Sequence, residues 1–218
     1  LAFKAAYEQE NFRGVSVTSF RDWKQDILQD FDFSPFPIRQ GFTQPELRQV
    51  SQELRFHSKG QDKPLNWTGG LFFADRQFDG DSGSIELQPL ASLPGVPPPI
   101  VNRTRYRQTG QNYAPFGQAA YRFAEDFEFT AGLRWDYDER QMERTHQLES
   151  AFGNFPAGPD ADVSDSWNSL QPRVRFAWDV NDTSTIYASA ARGYQSGGFN
   201  PSSDVPAQIR YDQSDSWT

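Results

Sequence analysis

The chain has 218 residues, a formal net charge of −8 and no cysteine. The missing cysteine excludes a disulfide scaffold, a thiolate metal site and a cysteine nucleophile. The acidic balance argues against a nucleic-acid partner, which wants a basic patch. Hydrophobic residues make up only 36% while aromatics reach 15%. That is thin material for a soluble core, but it suits strands that are apolar on one side and carry aromatic girdles. A mean hydropathy of −0.76 leaves no run of about 20 apolar residues to cross a membrane as a helix.

Along the chain, weak strand patterns cover Leu1–Tyr7 and Gly14–Trp23. In the next, Val50, Gln52, Leu54 and Phe56 alternate with Ser51, Glu53, Arg55 and His57. Leu65, Trp67, Gly69, Leu71 and Phe73 follow on one face, and Arg105–Phe123 reads as a further strand. The clearest element is Phe127–Asp138. Phe127, Phe129, Ala131, Leu133, Trp135 and Tyr137 share one face, and Glu128, Thr130, Gly132, Arg134, Asp136 and Asp138 the other. Such strict period-two alternation exceeds the usual globular strand of about 5–6 residues and matches the ~9–11 that a tilted membrane strand needs. Val174, Phe176, Trp178 and Val180 mark another strand, Thr185–Tyr194 the next, and a ninth begins near Tyr211.

The expected connections alternate in length. Short turns fall at Gln9–Arg13, Ser58–Pro64, Ala124–Asp126 and Asn181–Ser184; long loops fall at Lys24–Gln49, Gln77–Thr104, Arg140–Trp167 and Gln195–Arg210. Loops above about 12–15 residues are uncommon in compact domains, but membrane barrels pair short turns on one side with long loops on the other. The fold expected is therefore all-β, an antiparallel transmembrane β-barrel, present in part. Pro94, Pro97, Pro98 and Pro99 read as a stiffened loop.

Four segments resemble the barrel of TonB-dependent outer-membrane receptors of the siderophore type. They are Ser51–Phe56 with Trp67–Phe73, Tyr113–Gln118 with Thr130–Asp136, Leu170–Val174, and the stretch Ile186–Asn200 that ends in Gly197-Gly198-Phe199-Asn200. The resemblance covers most of the chain from about Val50 onward. The segment Tyr211–Trp217 departs from the family's common proline-glutamate step. The resemblance implies a closed barrel of about 22 strands with an N-terminal plug. Residues 1–218 would supply about eight or nine of those strands, with the plug and the other strands outside the chain. It also implies a Gram-negative outer-membrane receptor that imports a scarce ligand, usually a ferric siderophore. Outer-membrane lipid would surround it, and energy would reach it from the TonB complex through the plug.

Charge on the lipid side of a barrel strand costs roughly 2–4 kcal/mol at the midplane, which assigns Glu53, Arg55, Arg134, Asp136, Arg173 and Arg175 to the lumen. There they brace the wall as ion pairs or meet a ligand. Candidate ligand contacts are Arg134, Arg173, Arg192, Tyr194 and Phe199, with Gly193, Gly197 and Gly198 beside them. Further loop aromatics are Phe31, Phe33, Phe36, Phe42, Phe152 and Phe155; they hold a planar ligand, cluster together or join a girdle. Asp160, Asp162 and Asp165, and likewise Asp79 and Asp81, lack the twelve-residue calcium pattern. His57 and His146 stand on different elements, so neither a metal nor a cofactor is expected, and nothing marks an enzyme. The alternatives are a passive porin and a secreted β-sandwich that binds carbohydrate.

Overall fold

The computed structural model describes residues 1–60, 63–87 and 99–218. Pro94, Pro97 and Pro98 of the proline patch lie outside the described residues. The long strands are β1 (Ala2–Glu8), β2 (Phe12–Lys24), β4 (Arg39–Ser58), β5 (Leu65–Glu86), β6 (Ile100–Phe123), β7 (Phe127–Ser150), β9 (Ala161–Asn181) and β10 (Ser184–Gln195). Short pieces are β3 (Ile27–Asp30), β8 (Gly153–Pro156), β11 (Gly198–Phe199), β12 (Arg210–Tyr211) and β13 (Ser214–Trp217), with one helical turn, α1 (Pro206–Ile209). One antiparallel sheet runs in the order β1-β2-β4-β5-β6-β7-β9-β10-β13, with β3 added to β4 and β8 to β7. All the long strands share this one sheet, and the only other pairing described, β11 with β12, is two residues long, which rules out the two-sheet sandwich.

Burial in this sheet is inverted relative to a soluble protein. On β7, Phe129, Leu133 and Trp135 are 43%, 48% and 41% exposed, while Thr130, Asp136 and Asp138 on the opposite face are buried. Register carries that division across the neighbours. Leu133 lies opposite Gly117 and Pro172, and Trp135 opposite Leu170, on the apolar side. Arg134 lies opposite Phe116 and Gln171 on the polar side. The apolar side faces lipid and the polar side a lumen, because only a nonpolar solvent rewards this arrangement.

The apolar belt has two aromatic rims. Near the short turns, Phe123 stacks on Tyr121 and Phe127 at 6.5 and 5.8 Å between centroids, and Phe127 on Trp178 at 5.9 Å. At the far rim, Tyr113 meets Phe73 at 5.0 Å and Tyr137 at 6.5 Å. From Phe127 to Tyr137, a strand rising ~3.3 Å per residue and tilted ~45° covers ~23 Å, close to the ~25 Å height of a barrel's apolar band.

The short turns lie where the sequence places them. Of the long loops only Gln195–Arg210 does, following the end of β10; the other three are largely strand, since β4 through β9 are 20 to 24 residues long, apart from the four-residue β8, and continue far beyond the belt. Beyond Tyr137 the outward side of β7 changes to Glu139, Gln141, Glu143 and Thr145, and that of β5 to Asp75, Gln77 and Asp79. Water wets both faces there, so apolar alternation disappears while the backbone ladder goes on. Outward ion pairs brace this upper wall. Arg103 reaches Asp81 at 3.2 Å and Glu149 at 2.9 Å, and Arg105 reaches the same two carboxylates at 3.4 and 3.0 Å.

Placing a charge on the belt tests the assignment. Leu133→Arg is expected to destabilise a receptor carrying this wall by roughly 2–4 kcal/mol, read as a shifted urea midpoint for refolding into vesicles. Gln141→Arg, outward but above the belt, is expected to shift it by no more than about 0.5 kcal/mol.

Candidate functional site

Lumen charges within the belt are largely satisfied by the wall itself. Arg134 donates to Asp136 through Nε at 2.6 Å and Nη2 at 2.9 Å, and Asn112 and Gln171 donate to the same carboxylate. Arg175 sits 3.7 Å from Glu128 and 5.3 Å over the Tyr187 ring. Arg55 pairs with Glu53. Arg173 is exposed to the lumen and has no ion pair or hydrogen bond among the described residues.

The segment after β10 folds inward as a strap against the upper inner wall. Phe199 and Ile209 pack with Met142 and Trp167 in a buried apolar cluster, and Phe199 meets Trp167 edge-on at 5.7 Å. Gln108 donates to the Phe199 carbonyl at 3.2 Å. Arg144, 3% exposed, donates to the Asp204 carboxylate and the Ser203 carbonyl. His146 sits between Asn102 at 2.6 Å and Asp204 at 2.9 Å.

Phe199 is thus a cluster residue and not an exposed loop aromatic. Phe42 is also buried, under the Arg103 guanidinium at 5.1 Å. Phe33 and Phe36 are exposed at the β3–β4 tip, where Asp32 accepts backbone N–H bonds from Ser34, Ile38 and Arg39. Those donors, with the Ser34 side chain first among the causes, lower the Asp32 pKa to about 2. Arg192 holds the last strand: Nη2 donates to Asp215 at 2.7 Å and Nη1 to the Leu170 carbonyl at 3.2 Å.

Tyr194 leads to the residues the sequence did not single out. Its hydroxyl donates to Asp138 at 3.3 Å, and Asp138 lies 3.6 Å from Arg140. Arg140 converges with Arg76 over Gly110, whose position on β6 lies between β5 and β7. A Cβ at Gly110 would stand 3.4 Å from both Arg140 Cγ and Arg76 Nε, so the glycine opens the space in which the two chains meet. Asp138, Arg140, Arg76 and Gly110 line a cavity of about 210 Å³ with Gln49, Phe72 and Asn112. Desolvation against the wall and the charge of Arg140 pull the Arg76 pKa down.

Immediately above stand three rings on the same inner face. Phe78, two residues past Arg76, lies 6.4 Å from Trp23 and 6.0 Å from Tyr106. Burial pushes the Tyr106 phenol up, so it stays a neutral hydroxyl at physiological pH. A larger concavity, about 570 Å³, lies mainly among outward side chains, but there Arg107 is paired with Asp79 and Arg48 with Glu46. The continued lumen parity of 134, 136, 138 and 140 could have revealed Arg140; the expectation of a loop starting there concealed it.

The strap's anchor has a defined pH dependence. Burial works to raise the Asp204 pKa, but bonds from Arg144 and His146 outweigh it and leave the carboxyl below its ordinary value. The contribution is therefore full above the unfolded value of about 3.9 and lost as pH falls through the lower folded value. Limited proteolysis within 198–211 is expected to stay slow at pH 5–7 and accelerate only below about pH 4. In Asp204→Ala, fast cleavage at pH 7 is expected; equal protection of variant and parent would contradict the anchor.

Two comparisons agree with this architecture. The family model described as "TonB dependent receptor-like, beta-barrel" matches residues 2–215. The crystal structure of the ferric yersiniabactin uptake receptor FyuA from Yersinia pestis superposes with a TM-score of 0.69 at 15% identity, over 98% of this chain. That likeness is one of fold, and the chain spans 30% of the FyuA chain. With residues 2–215 of the 218 matched by that family model, the chain belongs to the TonB-dependent receptor β-barrel family.

Proposed function

We propose that the chain forms part of the wall of an outer-membrane receptor that binds a scarce ligand from outside, a ferric siderophore, and imports it with energy relayed by TonB. The observation that carries this reading is the upper lumen wall. Above the belt β4, β5, β6 and β7 continue for ten or more residues, and the wall there presents an inward cavity with an unsatisfied cation, an aromatic patch and an inward-folded strap. A passive channel needs none of these to pass small solutes. Among the described residues the sheet has two edges, β1 and β13, that pair on one side only. Lipid does not tolerate such edges, and in the proposed receptor both are paired by other strands of a barrel that encloses a plug, through which TonB would act.

The test is growth of an iron-limited Gram-negative host, stripped of its own siderophore receptors, that expresses the whole receptor with and without TonB. Ferric chelate uptake is expected only when TonB is present. Solute entry of equal rate without TonB would instead make this the wall of a passive pore.

A further inference from the structure

We infer that Arg76 and Arg140, with the Trp23, Phe78 and Tyr106 rings above them, form the binding site for an anionic iron chelate that bears aromatic rings. This rests on the receptor reading and names the class of ligand that the same site takes.

The first argument is charge. Arg76 is exposed to the lumen and makes no ion pair or hydrogen bond among the described residues. Arg140 lies 3.6 Å from Asp138, and its Nε has no partner. Asp138 also accepts the Tyr194 hydroxyl. Two guanidiniums thus share one carboxylate, which leaves one positive charge unbalanced at the cavity. By contrast, Arg134 and Arg192 each have a carboxylate within 2.9 Å. Guanidinium is a planar fork that matches a carboxylate or a catecholate oxygen pair, and such bonds strengthen away from bulk water.

The second argument is shape and surface. Gly110 lies between the two arginine side chains, and a Cβ there would already be in contact with both, so a larger side chain would compete with them for the space. Gly80 has the same effect higher up the wall: its missing Cβ leaves room for the Tyr106 ring to lie over the strand. Trp23, Phe78 and Tyr106 are only half-buried, and the indole N–H of Trp23 has no partner among the described residues. The strap packs on Met142 and Trp167, and none of these three rings belongs to that cluster. An aryl ligand would stack there while its anionic oxygens meet Arg76. The site lies above the far aromatic rim, three residues past Phe73, where a ligand arriving from outside meets it. A neutral chelate without rings would leave both the charge and the aromatic patch unsatisfied.

The experiment uses the purified whole receptor in detergent and follows its tryptophan fluorescence. One probe is the trianionic iron(III) complex of a hexadentate tris-catecholamide; the other is the neutral iron(III) complex of a hexadentate trihydroxamate. The anionic aryl complex is expected to bind at least ~10-fold more tightly, with an affinity that falls as salt rises. Arg76→Gln is expected to weaken it about 10-fold and leave the trihydroxamate unchanged, while Arg76→Lys, which keeps the charge, loses less. Asp75→Asn, on the outward face, serves as the control, and heat-modifiable migration confirms that each variant is folded. Equal or tighter binding of the neutral complex, or no effect of Arg76→Gln, overturns the ligand class while leaving the receptor reading in place. If neither complex binds the folded receptor and no ferric chelate enters the energised host, the receptor reading falls as well.

Discussion

Everything in this wall follows from the impossibility of leaving a peptide N–H or C=O unbonded in hydrocarbon. A strand crossing lipid satisfies its backbone only through its neighbours, so the sheet must be continuous. Within it, β5 pairs with β6 over its full length and β7 with β9 over eighteen residues. Once the backbone is fixed in this way, side chains alternate between two solvents. Leu133 and Trp135 go to lipid, and Arg134 and Asp136 go to a lumen where they bond one another. The same ladder carries the wall upward past the membrane, and that extension creates the surface on which the cavity and the strap sit.

The membrane-crossing half of the fold was legible because lipid makes severe demands on sequence. Phe127–Asp138 alternates strictly since every second residue meets hydrocarbon. The short turns were equally legible, being confined to a few residues between two such patterns. The upper half was not. Once both faces are wet, Glu139–Gln147 reads as an undifferentiated polar run, although β7 continues through it to Ser150. Its inward apolar members, Met142 on β7 and Trp167 on β9, are too sparse to announce a strand, because what they face is a short strap and not a bilayer.

The candidate site was legible only in part for the same reason. Arg134 stood out on a clean strand, but a clean strand also surrounds it with partners, and its charge is consumed by Asp136. Arg192, Tyr194 and Phe199 lay in a recognisable segment, yet Arg192 fastens the last strand and Phe199 anchors the strap. Arg76 and Arg140 fell at the margins of supposed loops. Only the register, which sets Gly110 between them, shows that these two distant residues meet. None of the ligand contacts expected from the sequence lines the cavity of those two arginines; Tyr194 reaches it through Asp138, and Arg134 through Asp136 and Asn112.

The division of faces is most directly measured by spin labels placed one at a time along β7 of the whole receptor in bilayers, with oxygen and a water-soluble nickel chelate as paired relaxation agents. Labels at Phe129, Ala131, Leu133 and Trp135 should be relaxed by oxygen and shielded from nickel, and labels at Glu139, Gln141 and Glu143 should become nickel-accessible. Oxygen-dominated relaxation at Thr130, Gly132 and Arg134 instead, or nickel access throughout Phe129–Trp135, would contradict the account.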